Sequence, residues 1–71
     1  MTDTVVAENT LWGETFRNWS LTGLPIPPAI LKRRCRARFP SVDADQVVRR
    51  IGERMVQLLN EHRARQSSSW R

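Results

Sequence analysis

Apolar residues recur most regularly in the second half of the chain. Ala44, Val48, Ile51, Met55, Leu58 and His62 follow one another at spacings of four, three, four, three and four, with Val47 and Leu59 widening the stripe. That period predicts an amphipathic helix with a heptad-like seam. Its start is marked as well. Asp43 suits the N-cap, Gln46 three residues on completes a capping box, and Val42 ahead of the cap is placed to staple against Val47. The helix is expected from Ala44 to Arg65, about 30 Å at a rise of 1.5 Å per residue. The polar "QSSSWR" after it reads as a flexible tail over residues 66–71.

The middle of the chain is punctuated by proline. "LPIPP" has to be extended, because each residue before a proline is pushed out of the α region. Pro28 suits the first turn of a helix, where its missing N–H has no partner to lose, and Pro40 stops that helix at or before Phe39. At 100° per residue Leu31, Cys35 and Phe39 fall in one sector roughly 80° wide. Lys32, Arg33 and Arg36 lie to one side of this stripe, Arg34 and Arg38 to the other.

"TLWGETFRNWSLTG" predicts a further helix. Asn9 or Thr10 offers a cap, Trp12, Phe16 and Trp19 share a face, and Gly23 stands where a left-handed C-terminal cap belongs. Leu24 is then placed to fold back onto Trp19. Gly13 inside this helix weakens it by roughly 1 kcal/mol relative to alanine. The acidic stretch before it, residues 1–9, reads as a flexible arm. The expected fold is therefore all-α: two short helices and one long C-terminal helix in a small bundle or helix hairpin, a single helical domain over residues 10–65.

A chain of 71 residues buries only about 60% of its unfolded surface, so three such helices are not expected to bury the long seam fully. Pairing of two copies through Ala44 to His62 is one way to cover it. Charge narrows the choice of partner further. Twelve Lys and Arg stand against seven Asp and Glu, for a net charge of +5, and eleven of the twelve are arginine. Residues 1–14 carry −3, residues 15–42 carry +6 with no acid among them, and residues 43–71 carry +2. Guanidinium groups make bidentate bonds to phosphate and carboxylate, so Lys32, Arg33, Arg34, Arg36 and Arg38 are the expected contacts for nucleic acid or an acidic protein surface. The alternative reading of the run is a well-solvated helix face. No zinc-finger spacing, RNA-recognition strand or GxxG loop organises it, and the two prolines count against a helix-turn-helix from Ser20 to Phe39.

Trp12, Phe16 and Trp19 read either as core or, with Arg17 as a charged rim, as anchors for a protein partner. His62 has no companion at ligand spacing, Cys35 reads as a small buried hydrophobe, and Trp70 has no evident core to join. Nothing resembles a nucleophile with its base, a phosphate loop or a metal cluster, so no catalytic residue, metal or cofactor is expected. One cysteine and no stretch long enough to span a membrane point to a cytoplasmic, non-membrane protein.

The "LWGETFRNW" segment, the "LKRRCRAR" run, the length and the acidic-then-basic profile together resemble the small regulators by which bacteriophages take over their hosts. Among these the chain is similar to the host RNA-polymerase-binding transcription regulators of lytic Xanthomonas phages. The likeness is one of profile over the whole chain, and no interface residue is carried over from it. It implies a non-enzymatic protein of the host cytoplasm that binds RNA polymerase, inhibits initiation and promotes antitermination. The aromatic stripe would dock on protein while Lys32 to Arg38 faces acidic protein or emerging RNA. A dimeric basic helical DNA- or RNA-binding repressor is the alternative, and a small assembly protein joined through the seam is another.

Overall fold

The computed structural model describes residues 3–68, with side chains as far as Arg65, as three helices: α1 (Asp3–Thr22), α2 (Pro28–Arg38) and α3 (Ala44–Ser68). The protein is an all-α bundle. Its helix ends follow from local chemistry. Gly23 closes α1 with φ +80°, a conformation that costs an L side chain its Cβ clearance, and its N–H reaches the Trp19 carbonyl at 2.8 Å. Leu24 does not fold back onto Trp19 as expected and is 67% exposed. Its backbone is fixed instead: Asn18 Nδ2 donates to the Leu24 carbonyl at 2.8 Å, and the Leu24 N–H reaches Thr22 Oγ1 at 3.2 Å.

α2 opens on Pro28, with Pro27 extended at φ −57°, ψ 144° and its carbonyl accepting the Ile30 and Leu31 N–H groups at 3.0 and 3.1 Å. Pro40 forces Phe39 out of the helix to φ −133°, although the Phe39 N–H still bonds the Cys35 carbonyl at 2.7 Å. Asp43 caps α3, its Oδ1 accepting the N–H groups of Asp45 and Gln46 at 3.1 and 3.3 Å.

The core draws on every segment: Ala7 and Leu11 of α1, Ile26 of the connector, Leu31 and Cys35 of α2, and Ala44, Val47 and Ile51 of α3. Val42 packs against this core, of which Val47 is a member. Leu11, Ile51 and Val47 are fully buried, each stabilising the fold by about 1.5–3 kcal/mol relative to exposure. Thr15 is the polar member. Its Oγ1 accepts the Ile26 N–H at 2.9 Å, which ties the extended connector to α1 and leaves no buried donor unmatched there.

Three expectations need correction. Residues 3–9 are not an arm but the first turns of α1, which is as a result not short: Ala7 is fully buried, and Glu8 pairs with α3. The cap at Asn9 or Thr10 therefore does not exist. α3 also runs past Arg65 to Ser68, taking residues 66–68 into the helix, while Trp70 lies outside the described residues. The seam is rotated as well. Val47 is fully buried and Val48 only partly, because α1 and α2 cover α3 from two sides. Ala44, Val47, Ile51 and Met55 are thus buried by the chain's own helices, while Val48 is part-buried and Gly52 exposed. Val56, 58% exposed, and Leu59 remain outward on the C-terminal half.

Candidate functional site

The basic run of α2 divides between two tasks. Arg34 and Arg38 point toward α1, where both grip Glu14, Arg34 Nη1 donating to Oε1 at 2.9 Å and Arg38 Nη1 to Oε2. Burial pushes the Glu14 carboxyl up, but the hydrogen bonds and charges of Arg38 and Arg34 together outweigh it and hold the group below its ordinary value. These two arginines therefore fasten α2 to α1 and are occupied within the fold.

Lys32, Arg33 and Arg36 face the other way, as the helical spacing predicts. With Arg49 of α3 they line an open groove of about 830 Å³ between α2 and α3, floored in part by Pro28 and Val48. Four cations stand there against Asp45 alone, a net of +3. Asp45 Oδ1 accepts from Lys32 Nζ at 2.5 Å. That hydrogen bond and the Lys32 charge, with Arg36 and Arg49 adding to them, lower the Asp45 carboxyl below its ordinary value although the residue stands in solvent. Arg33, Arg36 and Arg49 have no ion pair among the described residues and project as exposed guanidinium groups.

At the other end of the seam the groove meets a smaller, largely apolar pocket of about 150 Å³. Pro28 and Val48 belong to both. Pro25, Ile26, Leu31, Ile51, Gly52 and Met55 also line it, and a Cβ at Gly52 would meet nothing within 4 Å. Thr15, the polar residue of the wall, has its hydroxyl committed to Ile26.

The aromatic stripe is neither the α1 core nor an open platform. The buried face of α1 is Ala7, Leu11 and Thr15, and the stripe runs beside it. Trp12 is half-buried beneath the Arg54 guanidinium, 4.7 Å from the ring centroid, and Trp19 meets His62 edge-on at 5.5 Å. Phe16 lies between them, with centroids 6.0 and 6.1 Å away, and is 42% exposed. Arg17 is exposed next to it. Glu8 completes this α1–α3 contact. Only 15% exposed, it accepts from Arg50 Nε at 2.7 Å and Arg54 Nη1 at 3.1 Å.

The sequence reading missed Arg49, Pro25, Gly52 and Met55 as parts of one surface. Gly52 and Met55 do fall one and two turns beyond Val48 on α3, the single local hint that they share its edge. Among the described residues no group of three or more His, Cys, Asp or Glu could hold a metal ion, and no helix is long and apolar enough to cross a membrane. Compared with models of known families, with curated proteins and with solved structures, the chain matches none.

Proposed function

We propose that the protein is a small non-enzymatic transcription regulator of the host cytoplasm that binds RNA polymerase, inhibits initiation and promotes antitermination, and that the α2–α3 groove is the surface it binds with. The observation behind this reading is the division of the arginines. Two are locked to Glu14, whereas Arg33, Arg36 and Arg49 stand around one groove with no ion pair among the described residues. Such guanidinium groups held on rigid helices speed encounter with an acidic partner and supply bidentate bonds once it docks. The chain's profile, an acidic start, a basic middle and a half-exposed aromatic on α1, supplies the choice of polymerase as that partner.

The test is retention of polymerase from nuclease-treated bacterial lysate on the immobilised protein at about 0.15 M salt, a concentration where charges beyond about 8 Å are screened. Wild type should retain polymerase, and Arg33→Glu with Arg36→Glu should not. Retention that survives this double reversal would remove the groove from the reading, and no retention by wild type would remove polymerase. The repressor alternative draws on Val56 and Leu59, exposed apolar residues on the C-terminal half of α3 that a second copy would cover. A dimer in sedimentation, together with DNA affinity falling with salt by a slope of about −0.9 per phosphate, would favour it.

A further inference from the structure

The charged groove and the apolar pocket are neighbours along the α2–α3 seam. They share Pro28 and Val48, so a ligand lying along the α2–α3 seam touches both. We propose that together they are a peptide site for an acidic segment carrying one large aliphatic or aromatic anchor, the anchor seated between Pro25, Gly52 and Met55 and the flanking carboxylates on Arg33, Arg36 and Arg49.

Three features select this occupant. The pocket volume of about 150 Å³ is of the size that takes up a benzene-sized apolar group in a protein interior. Its walls are aliphatic, and Thr15, the polar side chain in them, already accepts the Ile26 N–H. A flipped or stacked base looks for an aromatic platform and free edge partners, and the pocket lining offers neither. The charged end accepts carboxylate in the fold itself, because Asp45 lies on Lys32 within the field of Arg36 and Arg49. A partner carboxylate meets the remaining guanidinium groups in the same way. Gly52 matters because it belongs to the pocket lining and a Cβ there meets nothing within 4 Å, so a longer side chain can be introduced beside the anchor without a clash.

This inference rests on the reading that the α2–α3 groove binds the partner, and it adds what the partner must contain. The probe is a fluorescent peptide of sequence DEDLEDE, compared with DEDSEDE and with a single-stranded oligothymidylate of equal charge, by anisotropy on the full chain. The leucine peptide should bind tenfold or more tighter than the serine peptide, the return expected for burying a leucine side chain. In Gly52→Leu the two peptides should bind equally, with the melting temperature unchanged or raised. In Arg33→Glu with Arg36→Glu both should be lost.

Equal binding of the two peptides by wild type, or an unaltered preference in Gly52→Leu, would overturn the pocket as an anchor site. Tighter binding of the oligothymidylate than of the leucine peptide would overturn the acidic peptide as occupant. The wider reading fails differently. If Gly52→Leu still retains polymerase while the charge reversal does not, the groove stands and the anchor falls. If wild type retains no polymerase yet prefers the leucine peptide, the peptide site stands and polymerase falls.

Discussion

Replacing Gly52 by alanine should make the protein more stable, by an amount that follows from where the residue sits. It is exposed in the interior of α3, and a Cβ built on it meets nothing within 4 Å. Neither a clash nor a lost contact therefore offsets the gain from restricting the unfolded chain and improving helix propensity, about 0.4–1 kcal/mol. Gly13 in α1 has the same surroundings, and the two lie on different helices with no shared neighbour, so their effects should add. In a domain of this size 1 kcal/mol moves the melting point by about 4–8 °C, which puts the double variant roughly 3–16 °C above wild type. Gly23→Ala is the control of opposite sign. Its φ of +80° opposes a side chain, at a cost of about 1–2 kcal/mol. Thermal unfolding followed by far-ultraviolet circular dichroism reads all three. A Gly52→Ala variant melting at or below wild type would refute the reasoning, since it would require either a break in α3 at that point or a second molecule seated against it.

Other consequences can be measured alongside. Thr15→Val should lower stability by about 1–3 kcal/mol in denaturant unfolding because it strands the buried Ile26 N–H, while Thr15→Ser, which keeps the accepting hydroxyl, should avoid most of that loss. The Glu14 carboxyl is depressed in the fold, so its contribution is complete above the ordinary glutamate value of about 4.3 and disappears as pH falls through the lowered one. Glu14→Gln should accordingly flatten the acid limb of a stability-against-pH curve, and an unchanged limb would count against the Arg34 and Arg38 pairing. Arg54→Met removes both the Trp12 stacking and half of the Glu8 clamp, with an expected loss of about 1–2 kcal/mol and a shifted tryptophan emission maximum.

What the sequence announced was whatever depends on near neighbours. Pro28 and Pro40 bound α2, Asp43 starts α3, and Gly23 ends α1, because each of these acts on backbone groups within a few residues. The split of the basic run into Lys32, Arg33 and Arg36 against Arg34 and Arg38 was legible for the same reason, since it needs only the helical period. What escaped was decided across the chain. The N-terminal turns of α1 hide their core contact in Ala7 while Val5 and Val6 stay exposed, so hydropathy gave no stripe there. Glu8 looked like loop polarity until Arg50 and Arg54, more than forty positions away, met it. Thr15 is a core residue only because Ile26 presents an N–H to it. The groove and pocket join α2, α3 and the connector, and no single stretch of sequence carries them.

Cys35 stands between Arg34 and Arg36 in the chain, a setting that on an exposed surface would activate a thiol. Here the helix turns it inward. Burial pushes the thiol up, and the charge of Arg36 does not restore it. The lone sulfur is consequently mute toward electrophiles while α2 is docked, and it speaks only when α2 lifts. Under a slow thiol reagent the labelling rate becomes a clock for that opening, a way of watching how often the protein lets go of its own middle helix without adding a probe.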